Sequence, residues 1–396
     1  MRFRQVTLRL LGAAALVGGS LLGGATPSFA SGGGGPTAAS VLGSGSDTTQ
    51  FVMSDLDKLY LFSPGCAQIP TPSGPTPWLD FSCQSPDPAG TVTTENYEHD
   101  QVHQAYFLGS SNGIKQLCTQ GTAGTANIDY ARSSRVPAAT DCAGLNFVAY
   151  ARDGISVETA NISGSGAFNM NNTSGACAGT GGTANNICLT QAQLQGIFVN
   201  CTITNWDQVG GNNVPITIYT AQPGSGTRAQ FDTFLGGSSD SCIPAAQKAT
   251  HIIPENSNAG LIFDGSIFGL IMPFSFGVWH SQVFPAFGNF APLAAVDGVP
   301  VNPTTITDLT FPYGRFLFNV YNRTTNPAGT PTNNYISEQN GWLCKPASAH
   351  STNPVTGNNY RTDIQNTITA NGFQPIPLGT IGGGNPNSSN CRLMQT

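Results

Sequence analysis

Apolar positions along the chain fall into two alternating patterns. Short runs such as "NFVAYA" (146–151), "PITIYT" (215–220) and "GLIMPFSF" (269–276) are bounded by turn residues and predict buried strands. Between them lie helix-like runs such as "LTQAQLQGIFVN" (189–200) and "RAQFDTFL" (228–235). In the second of these, Phe231, Phe234 and Leu235 have helical spacing. Strands alternating with helices predict an α/β chain. The segments 63–95, 161–187 and 376–396 are rich in Pro, Ser, Gly or Asn and read as an insertion, a loop and a loop-like tail. No repeat of solenoid period is present.

One local design recurs at the predicted strand-to-helix junctions. "PITIYT" leads into Gly224-Ser225-Gly226-Thr227 and then the run "RAQFDTFL". Near the start, "VLGSGSDTTQFVMSDLDKL" (41–59) repeats it with Gly43-Ser44-Gly45-Ser46-Asp47-Thr48-Thr49. A third case is "AYFLGSSNGIKQLC" (105–118), with Gly109-Ser110-Ser111; "DYARSSR" (129–135) is a fourth hydroxyl-rich turn. The first N–H groups of a helix have no internal partner, and the helix dipole is positive there. Glycines let a ligand approach the backbone, so such a turn suits an anion. Ordinary helix capping by Ser225 or Thr227 explains any one of these turns equally well. Four together can converge on one small anion. No GK[ST] closes any of them, which argues against a nucleoside triphosphate.

Composition narrows the setting. At 396 residues the chain has room for two or three domains, and 39% hydrophobic residues suffice for real cores. Charged residues are only 9%, against about a quarter in ordinary proteins, and the net charge is −6 without a basic run. That argues against nucleic-acid binding. Residues 1–30 carry Arg2, Arg4 and Arg9, then an apolar stretch, then Ser28-Phe29-Ala30, and predict a bacterial export signal cleaved near Ala30. Glycines interrupt that stretch, which argues against a membrane anchor. Residues 31–40 then read as a flexible leader. In an exported chain the ten cysteines predict disulfides: Cys66, Cys83, Cys118, Cys142, Cys177, Cys188, Cys201, Cys242, Cys344 and Cys391. Their connectivity does not follow from sequence. Pairing of neighbours is the expectation, because most successive spacings close modest loops. No CxxC suggests zinc, and no cofactor is expected.

The motifs "GSGSDTT", "LGSSNGIKQL", "AYARDGISV", "LTQAQLQGIFVNCTITNWDQVGG", "PITIYTAQPGSGTRAQFDTF" and "TDLTFPYGRFLFNVYN" span most of residues 41–325. In them the chain resembles the phosphate-binding proteins of bacterial ABC importers, and they occur in that family's order. The resemblance implies a two-lobed periplasmic-binding-protein-like fold, each lobe a mixed sheet flanked by helices, joined by two crossing strands. Lobe 1 would comprise 41–148 and 268–396, the latter with a C-terminal extension, and lobe 2 would comprise 149–267. The crossing strands are expected near 146–151 and 267–273. The implied activity is capture of phosphate or a related oxyanion in the cleft, without chemistry, by a monomer that serves importer membrane subunits. The family's ligand contacts map to Ser46, Asp47 and Thr48, with Thr49 beside them, then to Ser110 or Ser111, and to Gly224, Ser225, Gly226 and Thr227.

Two positions depart from that pattern. An arginine often precedes GSGT in the family, but Ala221 stands there; Arg228, directly after Thr227, is the substitute candidate. The family's ligand-gripping aspartate follows a small-residue turn. The matching stretch here, Ala131-Arg132-Ser133-Ser134, has no carboxylate, and Arg132 and Ser133 become candidates instead. A carboxylate in such a site accepts the proton of hydrogen phosphate and disfavours sulfate. Asp47 either performs that task or only caps its helix.

Two other function classes remain open. Gly109-Ser110-Ser111-Asn112-Gly113 fits the G-x-S-x-G elbow of serine hydrolases, with Ser111 as nucleophile and His251, His280 or His350 as base by order alone. A degenerate surface or matrix protein on the same fold is the second. His99 and His103 stand four apart, as metal ligands can, but no third ligand accompanies them. Trp206 in "TNWDQ" reads as a core residue.

Overall fold

The computed structural model describes residues 43–60, 67–68, 83–86, 92–95, 109–119, 128–178, 187–257, 267–338, 341–353, 355–376 and 391–396. The export signal, the leader, and His99 and His103 lie outside the described residues.

The sheet is organised around one long strand, Leu145–Thr159, buried at each of its 15 positions. Such a strand needs cover on both faces, which is why it reads as a nearly continuous apolar run rather than an alternating one. Gly314–Asn322 pairs antiparallel along one edge, from Asn322 opposite Leu145 to Gly314 opposite Gly154. Along the other edge, Arg392–Gln395 and Gln374–Pro375 pair first. Leu270–Ser275 follows, from Ser275 opposite Ile155 to Ile271 opposite Thr159. Tyr130–Ser133 joins Gly314–Asn322 antiparallel, and Gly43–Gly45 joins Tyr130–Ser133 in parallel. Thr217–Ile218 extends Leu270–Ser275 in parallel, giving eight strands and a mixed sheet. The α/β architecture expected from the alternating runs is therefore present.

The long strand feeds different cores along its length. Leu145, Phe147 and Ala149 pack with Ile114, Leu117, Phe318 and Val320. Val148 and Tyr150 point the other way, into a cluster with Val52, Met53, Leu56, Met272 and Phe274. This is the period-2 alternation of a strand with two buried faces. Further along, Ile155 and Val157 enter a separate cluster with Leu194, Phe198, Trp206 and Phe231. Trp206 is fully buried there, and its indole N–H donates to the Gly269 carbonyl at 3.1 Å.

The helix-spaced runs form helices at Gln50–Tyr60, Ser110–Thr119, Gln191–Phe198 and Gly226–Leu235. Gln191–Phe198 starts with a reciprocal capping box between Thr190 and Gln193. Three sequence expectations need correction. "DYARSSR" precedes no helix; Tyr130–Ser133 is a strand paired on both sides. "PITIYT" is not one strand, because Thr220–Ala221 leaves the main sheet to pair with Ile252–Ile253. The tail is not all loop, since Arg392–Gln395 docks on the long strand.

Among the described residues four disulfides join neighbouring cysteines: Cys118–Cys142, Cys177–Cys188, Cys201–Cys242 and Cys344–Cys391. Cys66 lies outside the described residues. The insertion 63–95 contains three short strands that pair among themselves, Ala67–Gln68, Cys83–Pro86 and Val92–Glu95.

Candidate functional site

Three glycine-serine turns meet at one place, and backbone contacts hold them there. Gly45, with φ at 127°, lies against the Arg132 carbonyl, so close that a side chain there would collide with it. The Ser46 N–H donates to that same carbonyl at 3.0 Å, and the Gly109 N–H donates to the Gly45 carbonyl at 3.1 Å. The Ser111 N–H donates to the Gly224 carbonyl at 3.0 Å. A Cβ on Gly226 would lie 2.1 Å from Ser110 Oγ and 2.4 Å from Ser134 Oγ. The entropy these glycines lose on folding is the cost of close approach between turns.

Hydroxyl groups from separate segments converge inside this cluster. Ser46 Oγ donates to Ser134 Oγ at 3.0 Å, and Ser134 and Ser110 share a hydroxyl contact at 3.3 Å. Thr48 Oγ1 and Thr227 Oγ1 are 3.2 Å apart. Ser46, Thr48, Ser110, Ser134 and Thr227 are all buried, as are Ser225 and Gly226. Ser225 caps the helix Gly226–Leu235, its Oγ accepting the Arg228 N–H at 3.1 Å.

The positive charge at the cluster is Arg315, from the strand Gly314–Asn322. Its Nη1 donates to Thr227 Oγ1 at 3.0 Å and to the Ser134 carbonyl at 3.1 Å. Its Nε and Nη2 donate to Asp153 Oδ2 at 3.0 and 2.7 Å. Both side chains are buried, and Ser275 Oγ and the Gly277 N–H also donate to the Asp153 carboxylate. A buried ion pair holds its geometry only when its remaining hydrogen-bond capacity is used in this way.

A carboxylate sits among the hydroxyls, but it is Glu255 rather than Asp47. Thr227 Oγ1 donates to Glu255 Oε1 at 2.6 Å, and Thr48 Oγ1 donates to the same oxygen. The Glu255 N–H donates to Gln222 Oε1, whose Nε2 donates to Asp47 Oδ2 at 3.3 Å. Burial raises the Asp47 carboxyl to about 7, helped by the charge of Glu255 and opposed by Arg132. Ser46 is the N-cap residue of the Asp47–Thr49 turn and makes no side-chain cap bond, and Asp47 stands in the first turn.

Several sequence-derived candidates point elsewhere. The Arg228 guanidinium is turned to Asp240 at 3.0 Å, Asp232 at 3.7 Å and the Ser238 hydroxyl, whereas Arg315 reaches Thr227. The Ser111 hydroxyl accepts from Arg135 Nε at 2.9 Å. Arg135 is itself fixed by Asp141 at 2.7 Å. Ser133 Oγ donates to the Arg135 carbonyl at 2.8 Å, and Thr49 Oγ1 to the Ser46 carbonyl at 3.4 Å. Arg132 is buried behind the first turn, its Nε donating to the Ser46 carbonyl at 3.0 Å. The histidines of the hydrolase reading lie against rings elsewhere: His251 tilted on Tyr219, His280 tilted on Phe276 and His350 edge-on to Trp342. With Ser111 held by Arg135, that reading is not favoured.

Sequence reasoning missed Arg315, Asp153, Gln222 and Glu255 as site residues. Arg315 and Asp153 did leave a signal. Each is a charge inside an apolar strand, "GRFLFNV" and "AYARDGISV", in a chain poor in charge. Glu255, in the loop "IPENSN", left none.

Residues 85–270 match the family model described as a PBP superfamily domain. The site also draws Ser46 and Thr48 from before that span and Arg315 from after it. Among particular proteins, the chain is similar to an ABC-type phosphate transport receptor from Vibrio cholerae, at 17% identity over 85% of this chain and 100% of that one, with a TM-score of 0.48. It is similar also to a phosphate binding protein from Stenotrophomonas maltophilia, at 14% identity over 86% and 91% with a TM-score of 0.44. PstS from Borrelia burgdorferi gives 15% identity over 86% and 99% with a TM-score of 0.41.

Proposed function

We propose that this chain is an exported solute-binding protein that captures inorganic phosphate, or a closely related tetrahedral oxyanion, for an ABC importer. The observation that carries the reading is the convergence, beside the Arg315 guanidinium, of the Ser46, Thr48, Ser110 and Thr227 hydroxyls at the starts of three helical segments with the Ser134 hydroxyl at the end of a strand. Hydroxyl and backbone N–H donors with one buried cation suit a small anion with several acceptor oxygens. The match of residues 85–270 to the PBP superfamily domain supports the same class.

The ligand contacts in this reading are Ser46, Thr48, Ser110, Ser134, Ser225, Gly226, Thr227 and Arg315. Asp47 acts on them through Gln222. In this reading lobe 1 comprises 41–148 and 268–396 and lobe 2 comprises 149–267, although the hydrophobic clusters cross those bounds: Ala294, Val296, Phe311 and Tyr313 pack with Ile155 and Val157, and Tyr219 and Ile253 pack with Val52 and Met272. The protein acts as a monomer, without catalysis, beside importer membrane subunits. Among the described residues no helix is long and apolar enough to cross a membrane.

The test is calorimetric titration with phosphate, sulfate, arsenate and a neutral sugar, alongside thermal shift. A ligand that binds only the folded state raises the melting temperature by mass action. Phosphate or arsenate should bind and stabilise; a response to sugar with none to any oxyanion would sink the reading. Small-angle scattering of the phosphate complex should show compaction of two hinged lobes.

A further inference from the structure

The anion cradle is already occupied by an anion of the chain's own. A threonine hydroxyl has one proton to give. Thr48 gives its proton to Glu255 Oε1, and so does Thr227 at 2.6 Å. Both are ligand positions in the proposed function. While Glu255 stays in place, neither hydroxyl has a proton for another acceptor. Thr227 Oγ1 also receives Arg315 Nη1 at 3.0 Å, which orients its proton toward the carboxylate.

We propose that Glu255 is an internal competitor for the oxyanion site, and that ligand binding is an exchange in which the Glu255 carboxylate leaves Thr48 and Thr227 as the oxyanion arrives. This deepens the phosphate-binding reading and rests on it for the identity of the cargo. Glu255 is buried, yet among the described residues its Oε2 has no hydrogen-bond partner. The carboxylate therefore fills the cradle with one oxygen and leaves the other unsatisfied, which makes it a displaceable occupant. A tetrahedral oxyanion has oxygens enough to take Thr48 and Thr227 together with Ser110 or Ser134.

The exchange makes Glu255 a specificity determinant. A tethered carboxylate competes at a high effective concentration. A free monocarboxylate offers the same group without the tether and loses. An oxyanion with more acceptor oxygens and more charge wins. Glu255 thus sets a threshold that small carboxylates do not pass, and it lowers the affinity for the anions that do.

The experiment compares wild type, Glu255→Gln and Glu255→Ala by calorimetry and thermal shift with sodium formate, phosphate and sulfate. Formate should stabilise Glu255→Ala and leave wild type unchanged, because it restores the missing carboxylate. Phosphate should bind Glu255→Ala about tenfold or more tighter than wild type, the equivalent of one charge-assisted contact no longer broken. Glu255→Gln keeps the shape and loses the charge, so it should fall between the two and still report if the alanine variant does not fold. Phosphate binding that is equal or weaker in both variants would overturn the proposal and make Glu255 a ligand contact instead. Formate stabilisation of Glu255→Ala without phosphate binding in any of the three proteins would uphold the occupied cradle and refute phosphate as the cargo.

Discussion

Replacing Arg315 with alanine removes a side chain that ties the long strand to the hydroxyl cluster. Four bonds are lost: two to Asp153, at 3.0 and 2.7 Å, one to the Ser134 carbonyl and one to Thr227 Oγ1. The larger consequence is the charge left behind. Arg315 and Asp153 are 1% and 0% exposed, so the Asp153 carboxylate would stay buried without its cation. Breaking a buried ion pair from one side costs about 3–5 kcal/mol. The Ser275 hydroxyl and Gly277 N–H still hold Asp153 and place the cost near the lower end, about 3 kcal/mol. A domain's whole stability is about 5–15 kcal/mol, so this is a large fraction. Asp153→Asn in the same background should recover part of the loss, because the neutral amide no longer needs a cation. The assay is urea unfolding of the two single variants and the double variant, analysed as a double-mutant cycle. Arg315→Lys, which keeps the charge and loses the fork, should fold better than Arg315→Ala and still bind anion less tightly than wild type. A loss below about 1 kcal/mol in Arg315→Ala, the size of an exposed pair, or no coupling to Asp153, would refute the reasoning.

Gly226→Ala places a Cβ 2.1 Å from Ser110 Oγ. It should destabilise by about 1–3 kcal/mol in chemical denaturation, less up to about 1 kcal/mol for the better helix former; Ser110→Gly in the same chain should relieve it, and a stabilising Gly226→Ala would contradict the close packing of the turns. The Asp47 carboxyl, raised to about 7 by burial and by Glu255, holds its proton more tightly folded than unfolded, where carboxylates titrate near about 4. Its contribution therefore favours folding at low pH and is lost as pH rises through about 7. Asp47→Asn should match wild type near pH 4 and exceed it at pH 8 in a pH series of urea melts; a constant difference would refute the shift. Arg228→Ala should leave oxyanion affinity within about twofold, the scale of a few tenths of a kcal/mol, because Asp240 and Asp232 already engage that guanidinium. A uniform loss for every anion in calorimetry would restore Arg228 to the site.

The architecture was legible where hydrophobic periodicity and turn chemistry agreed. Phe231 and Leu235 fell on the buried side of their helix, with Phe234 packed at its margin, and the glycine-serine turns fell at helix starts. The apolar run 146–151 is shorter than its strand, because Arg152 and Asp153 interrupt the pattern. Both are buried within a strand that continues to Thr159. A charge in a strand reads as an end unless its partner is known, and the partner of Asp153 lies 162 residues away at Arg315. The same distance hides Arg315 from the sequence, which points to the nearest arginine, Arg228, instead. Glu255 was invisible for another reason: its role depends on a loop carrying it onto Thr48, 207 residues earlier in the chain, and no local pattern encodes that approach. Serines 110 and 111 differ by one position, and only the fold separates the one facing the cluster from the one held by Arg135.

The central claim is that the hydroxyl cluster is the oxyanion site. Crystals grown with arsenate, located by the anomalous scattering of arsenic, test it most directly. The account predicts one arsenic peak within hydrogen-bonding reach of the Thr48, Ser110 and Thr227 hydroxyls and Arg315, with Glu255 displaced from Thr48 and Thr227. Arsenate bound elsewhere on the protein, with Glu255 still seated between the two threonines, would contradict it.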